Sequence, residues 1–504
     1  MTVKTLAYNI PFISIFLMMI AAIITPVLPK RHRIPEKLSC ICLFIVAVLS
    51  GYLIYALDTA NGDIAFNFPV GHYPAPWGNE LRAGLLEAVL AFCYSIAMLL
   101  SLTGNFQSTA EDIPERRRSF YCVLMNLLAA SLLALTYAND IFTSYVFIEI
   151  NTIAACSIVA VKNSASTIRA ALRYLIMSLV GSGLVLISIC LLYDLTGHLL
   201  MQPMHTKIIE LVKNGKYIFP LTVSLALITA GLAIKSALYP FSFWLPDAHG
   251  SSTNASSAVL SGLVLKGHIF LIIKLFLRVF GLDVIEALRM DKVIFILGVT
   301  AMIMGSVHAL KQLNIKRMIA WSSVAQVGYI FLGLGLNSVE GISAACLHII
   351  VHACVKPMLF TSAGGLSAAA DHLKSLHDLL GTFYINKWAG LGFVAGACSM
   401  MGIPGFAGFA SKISLTMASF DSPLIIWSLA ALALSSVLNA LYYVPAMIAI
   451  LTGTDEKIHG VHEKIIIPLS FKISIGMFIA LNFYLGLRFV PLLRLIMRGV
   501  NIFG

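Results

Sequence analysis

Apolar runs of about 20 residues recur from one end of this chain to the other, separated by short polar stretches. A helix rises about 1.5 Å per residue, so each run is long enough to cross a hydrocarbon core roughly 30 Å thick. In lipid the backbone finds no water to bond with, which leaves the helix as the natural spanning unit. We count roughly 14 such runs. Only 11% of the 504 residues are charged and 59% are hydrophobic, whereas a soluble domain carries about 25% charged residues. These features exclude a water-soluble fold and predict an all-α polytopic membrane protein. The longest polar stretches, about Asp58 to Glu80, Met201 to Tyr217 and Thr452 to Lys464, read as loops too short for a separate soluble domain.

The formal net charge of +11 does not point to nucleic acid, because the basic residues sit in short loops between apolar runs. Lys30, Arg31, Arg33 and Lys37 follow the first run, Arg116, Arg117 and Arg118 precede the fourth, and Lys311, Lys316 and Arg317 lie between the ninth and tenth. Positive loops mark the cytoplasmic side, so both termini are expected on the outer face of a cytoplasmic (inner) membrane. The first run, about Tyr8 to Leu28, exceeds a signal-peptide core and ends in basic residues, so it reads as a retained span. The nine cysteines lie in or beside apolar runs, where cysteine behaves as a small hydrophobe. Neither a disulfide nor a metal site is implied.

Two runs are interrupted in related ways. Lys235 to Pro246 contains Pro240 and Pro246, and Gly402 to Lys412 contains Pro404, Gly405 and Gly408. Proline removes a backbone donor, and the groups it frees are tolerated at membrane depth only beside protein or water. Paired broken helices are the mark of a repeat transporter with its site near the midplane.

Ionisable residues inside the runs carry the chemistry. Glu149, Lys235, Lys266, His348, His352, Lys356 and Lys412 all fall within or beside apolar segments. Each costs roughly 2.5 to 3.5 kcal/mol at the bilayer centre, so six isolated groups would cost on the order of 15 to 20 kcal/mol. They are therefore expected to line a hydrated track. His348, His352 and Lys356 recur at every fourth position and share one helix face, a proton-relay spacing. Histidine titrates near neutral pH, and a desolvated lysine can too. Glu149 and Lys235 have the charges to pair, and making or breaking that pair would change the lysine's proton affinity. Among weaker candidates, Arg82 and Glu87 divide between an interfacial ion pair and a functional role. Lys274 is expected to snorkel to an interface, and His268, nearly opposite Lys266, to serve in packing or partner contact.

At these residues the sequence resembles the antiporter-like family shared by respiratory complex I, the Mrp-type multisubunit cation/proton antiporters and the membrane-bound hydrogenases. Lys235-Ser-Ala-Leu-Tyr-Pro-Phe-Ser-Phe-Trp-Leu-Pro-Asp-Ala-His249 is similar to its seventh-span signature. Ser257 to Lys266 resembles the eighth, in the version of the Mrp D-subunit branch and its hydrogenase counterpart; Lys316 to Tyr329 resembles the tenth, His348 to Phe360 the eleventh, and Gly402 to Lys412 the twelfth. Pro74 to Arg82 is also closer to the Mrp and hydrogenase branches. The sequence departs from the family pattern at Ile148, where tryptophan is frequent, at Thr253 and Asn254, where paired prolines are expected, and at Asn314, where aspartate is common.

The resemblance implies about 14 transmembrane helices, with helices 1–3 in residues 1–117, two inverted five-helix repeats in 118–282 and 283–453, and helix 14 in 454–504. It implies broken helices 7 and 12 and no bound cofactor. It assigns Glu149 and Lys235 as a switchable ion pair, Lys266 as central carrier, His348 and His352 as a bridge and Lys412 as the exit-side group. Its implied partners are other membrane subunits of one complex, antiporter-like paralogues and small hydrophobic subunits among them. The expected function is proton translocation, or proton/sodium exchange, by a subunit without its own redox site. No phosphate-binding loop suggests ATP drive. A stand-alone antiporter and a non-conducting scaffold are the competing readings; a membrane enzyme lacks a nucleophile–base or metal constellation.

Overall fold

The structure, a computed structural model, describes residues 3–29, 33–59, 65–73, 78–453 and 466–503. Lys30 and Arg31 of the first basic cluster, Pro74 to Trp77 of the stretch before the third span and 454–465 of the last long loop lie outside the described residues.

Among the described residues, thirteen helices are long and apolar enough to cross a membrane. They are Ala7–Val27, Ile34–Thr59, Leu85–Gly104, Glu115–Tyr137, Ile141–Ala160, Ala165–Thr196, Ile218–Lys235, Asn254–Phe280, Met290–Leu310, Ile315–Gly335, Val339–Ala368, Ile425–Leu451 and Leu469–Leu487. A further crossing, the twelfth in chain order, is divided between Lys387–Met401 and Ala407–Ser419, pieces of 15 and 13 residues. The spans are numbered first to fourteenth on that basis.

Burial sorts the spans into an inner and an outer set. The apolar windows of the eighth, tenth and eleventh spans are 100% buried, whereas those of the first, second, sixth, ninth, thirteenth and fourteenth are 33–44% buried and present residues such as Phe44, Ile176, Trp427 and Tyr484 outward. Apolar side chains are at home against hydrocarbon, so an outward face of this kind costs nothing in a bilayer. Helices shielded on every side give ionisable groups the fullest cover from lipid, and the eighth and eleventh carry several.

Both breaks appear where the prolines and glycines place them. The seventh span ends at Lys235 and resumes as a short helix, Trp244–Ser251, with Pro240 in the intervening turns. The twelfth stops at Gly402, whose φ of +92° is open to glycine and strained for other residues. Its second half restarts at Ala407, and the exposed N–H groups are claimed by side chains: Ala407 N–H donates to Asn482 Oδ1 at 3.1 Å and Gly408 N–H to Ser399 Oγ at 2.9 Å. Borrowed acceptors of this kind allow irregular backbone inside a membrane protein.

Two stretches read as loops prove to be structured. Within Asp58 to Glu80 and just past it, Phe66–Pro69 pairs antiparallel with Glu80–Ala83. Met201–Lys213 is a helix whose Met201, Met204, Ile208 and Leu211 are buried. That spacing makes an apolar stripe under a polar face, a pattern short enough to be lost among the polar residues around it. A second helix, Phe489–Asn501, follows the fourteenth span, where only one helix was expected in 454–504.

Candidate functional site

The Glu149–Lys235 pair is formed. Lys235 Nζ lies 3.3 Å from Glu149 Oε1 and donates to Thr152 Oγ1 at 2.9 Å, so fifth-span side chains one helical turn apart hold the end of the seventh. Ser182 of the sixth span donates to the same carboxylate. The lysine side chain is fully buried, while that of glutamate is 24% exposed, on the face of the fifth span that also presents Phe142, Val146 and Ile153. One member of the pair therefore belongs to the interior and the other touches the surroundings.

Lys266 is buried at the centre of the eighth span, just after a π-helical turn, Leu260–Val264. Such turns recur at functional sites because they widen the helix and shift its carbonyls; here Lys266 folds back to donate to the Ser261 carbonyl. Gly262 in the same turn lies against Pro357, and a Cβ there would collide with the proline ring. The eighth and eleventh spans thus pack closely beside both lysines.

Hydroxyls of the eighth, tenth and thirteenth spans lie between there and the eleventh span. Ser261 Oγ and Ser323 Oγ are 2.8 Å apart, and the adjacent Ser322 accepts from Lys356 and lies 2.8 Å from Tyr443 OH. Lys356 also donates to the Ile319 carbonyl at 3.1 Å. Farther along the eleventh span, both nitrogens of His352 are buried without a hydrogen-bond partner among the described residues, and its ring centroid is 6.2 Å from that of His348. His348 Nδ1 is 2.9 Å from Ser411 Oγ, and its ring stacks on Tyr329 at 5.4 Å. Lys412 comes next: its ammonium lies 5.1 Å from the Tyr329 ring centroid and donates to the Met400 and Met401 carbonyls at 2.9 and 3.0 Å and to Ser436 Oγ at 3.2 Å.

The structure therefore collects all seven predicted residues into two groups, Glu149 with Lys235, and Lys266 onward to Lys412. Among the described residues no hydrogen bond joins Lys235 to Lys266. His268, two residues past Lys266 on the eighth span, is also buried and lies near Lys235. Lys266, Lys356 and Lys412 form no ion pair with a carboxylate among the described residues.

Lys274 corrects a sequence expectation. It does not snorkel: it is fully buried and donates to the Leu135 and Ala138 carbonyls at 3.0 and 2.7 Å. Those carbonyls end the fourth span, so the negative end of a helix dipole holds this cation inside. Arg82 and Glu87 form a buried ion pair at 2.9 Å, with Arg82 also donating to the Ile502 carbonyl at 2.8 Å, which ties the C-terminal helix to the start of the third span.

Sequence reasoning missed the neutral links: Thr152, Ser182, Ser261, Ser322, Ser323, Ser411, Ser436, Tyr329 and Tyr443. Serine and tyrosine are common in membrane helices for other reasons, and only the pairing of Ser322 with Ser323 inside a quoted motif could have drawn attention. The family departures have local answers. Asn314 accepts from the Lys316 and Arg317 N–H groups, the capping task an aspartate would perform, and Thr253 accepts from Ser256 N–H to start the eighth span.

Comparison with known proteins places this arrangement. The model of the family described as NADH:quinone oxidoreductase/Mrp antiporter, TM, matches residues 138–439. The chain is 32% identical over 420 residues to NADH-quinone oxidoreductase subunit N of Desulforudis audaxviator, covering 82% of this chain and 81% of that protein. It is 28% identical over 393 residues to the Na(+)/H(+) antiporter D-subunit of Alkalihalophilus pseudofirmus, covering 78% and 76%. Its fold is similar to a chain of the membrane-bound sulfane sulfur reductase, an archaeal respiratory membrane complex, with a TM-score of 0.86, 24% identity and 98% of each chain covered.

Proposed function

We propose, from the premise that this chain belongs to the NADH:quinone oxidoreductase/Mrp antiporter transmembrane family, that it is the ion-translocating, antiporter-like subunit of a larger membrane complex and that protons are what it moves. One observation supports the reading: buried Lys266, Lys356, His352, His348 and Lys412 follow one another through the eighth, eleventh and twelfth spans, interleaved with serine hydroxyls and the Tyr329 ring and without a carboxylate ion pair among the described residues. A scaffold has no use for so many desolvated donors. Groups that each both accept and release a proton can pass it on.

In this reading Glu149 sets the occupancy of Lys235. While the two are in contact the ammonium has its counter-charge; when the carboxylate is protonated or turns away, that charge is stranded and the proton is driven inward past His268 toward Lys266. From Lys266 it crosses the Ser261–Ser323–Ser322 hydroxyls and internal water to Lys356, continues along the His352–His348 ridge, and reaches Lys412 as the exit-side group. We assign residues 118–282 and 283–453 as the two repeats, each with one broken span and one lysine at its break, between 1–117 and 454–504. The subunit holds no redox site of its own and is driven by partner subunits, antiporter-like paralogues and small hydrophobic ones among them. It lies in the cytoplasmic membrane with its basic loops inside and both termini outside.

Pumping by the assembled complex in proteoliposomes, with pH and sodium gradients recorded under matched driving force, tests this for the wild type, Lys266→Ala and Glu149→Ala. Loss of the proton gradient in both variants, with assembly intact, is the expected result. Pumping that survives both changes makes the chain a scaffold, and loss of a sodium gradient alone reassigns the ion.

A further inference from the structure

A basic cleft on the loop face of the fourth and fifth spans plays no part in the proton track. Its volume is about 940 Å³, and it is bordered by Arg116, Arg117, Phe120, Ser157, Lys162 and Asn163, among others. Its cations come from two elements, the first turn of the fourth span and the turn that ends the fifth. Lys162 is held at 2.6 Å by Asp112. With its amide turned to suit its surroundings, the Asn163 oxygen accepts from both Arg117 amino groups, at 3.2 and 3.3 Å, which fixes that guanidinium at the cleft. Nearby Lys374 is pushed below the ordinary lysine range, chiefly by burial and then by the Lys162 ammonium, against the opposing pull of Asp112. The fourth helix begins here without a side-chain cap from Pro114, and its N-terminal dipole adds positive potential that Glu115 in the first turn partly offsets.

The apolar continuation of this cleft identifies the ligand class. Beyond Arg118 the fourth span is buried except at Phe120, Val123 and Leu127. With Arg116 these positions follow the i, i+4, i+7, i+11 pattern of a single helix stripe, so a narrow apolar track runs from the guanidinium toward the hydrocarbon. Phe120, one turn past Arg116, is 58% exposed. A soluble anion would use the cations and ignore the track; a phospholipid uses both.

We propose that this cleft binds one anionic phospholipid, with its phosphate on Arg116, Arg117 and Lys162 and an acyl chain along Phe120, Val123 and Leu127. Arginine forks match phosphate oxygens two at a time, and basic pockets between spans on the cytoplasmic side are suited to such headgroups.

The test is native mass spectrometry of the delipidated full-length chain in detergent, titrated with phosphatidylglycerol, with phosphatidylcholine of the same acyl chains, and with inorganic phosphate. Phosphatidylglycerol should bind about tenfold more tightly than phosphatidylcholine, and Arg116→Gln/Arg117→Gln should remove that preference. Ser157→Trp, which fills the cleft and leaves its charges in place, should also weaken phosphatidylglycerol. Lys311→Gln, a basic change on the same face outside the cleft, should not. Equal binding of the two lipids by the wild type, or an undiminished preference in the arginine variant, overturns the proposal. So does displacement of phosphatidylglycerol by inorganic phosphate at comparable concentration, which would make the site one for a soluble anion.

Discussion

The two broken spans use one device in two electrostatic settings. At the seventh, Lys235 faces Glu149, a carboxylate that is itself titratable and partly exposed. At the twelfth, Lys412 faces the carbonyls of Met400 and Met401, where the preceding half-helix ends, together with a serine hydroxyl and the face of Tyr329. A helix terminus carries a fixed partial charge equivalent to about half an elementary charge, whereas a carboxylate can gain or lose a whole one. The first lysine is thus held by a partner that can change its charge, and the second by partners that cannot. Breaking a helix inside the membrane exposes backbone polarity in both cases; what differs is whether that polarity or a side chain sets the cation's environment.

Removing the variable partner should have the largest effect. Glu149→Gln leaves Lys235 buried without its anion, and stranding one member of a buried pair costs about 3 to 5 kcal/mol; the partial exposure of Glu149 places this case toward the lower end. Thermal unfolding in detergent should show a clear drop, with proton pumping lost. The double variant Glu149→Gln/Lys235→Met should recover most of the stability and none of the pumping. Equal destabilisation of single and double variants would show that the charge pair is not what Glu149 supplies.

A smaller effect is expected at the twelfth span. Lys412→Met removes a cation whose acceptors are neutral and leaves three oxygens short of one donor, a cost of about 1 to 3 kcal/mol. Pumping should fall at least as far as stability would suggest, and Lys412→Arg should restore stability better than pumping, because arginine remains protonated. If Lys412→Met destabilises the protein more than Glu149→Gln does, the ranking of the two settings is reversed.

The smallest effect isolates the backbone contribution. Asn482→Ala withdraws the acceptor for Ala407 N–H and should lower stability by about 1 kcal/mol, as loss of a helix cap does. Pumping should change only slightly, since Asn482 touches none of the track's ionisable groups; a loss as large as that of Lys412→Met would place the helix restart itself in the transport step.

Much of the site could be read from residues alone. A lysine or glutamate in an apolar run stands out because its desolvation cost is large, and the regular spacing of His348, His352 and Lys356 survives folding because it is a property of one helix. The track between helices was not legible. Ser261, Ser323, Ser322 and Tyr443 come from three spans and become a bridge only through their packing. Lys274 shows the limit from the other side: nothing local distinguishes a lysine that snorkels from one that turns inward to the end of another helix. The amphipathic helix Met201–Lys213 was missed because its apolar stripe is short and mixed with polar residues.

By itself, then, the sequence determined the solvent this chain folds in, the number and order of its spans, the positions of both breaks and the identity of its buried ionisable groups. Each follows from hydropathy, backbone chemistry or charge, which act along the chain. Tertiary structure alone decided which spans are shielded from lipid, which oxygen each lysine addresses, and whether Glu149 reaches Lys235. Those outcomes depend on distances of a few ångströms between segments far apart in the chain, and hydrogen bonds and ion pairs are made or lost over that range.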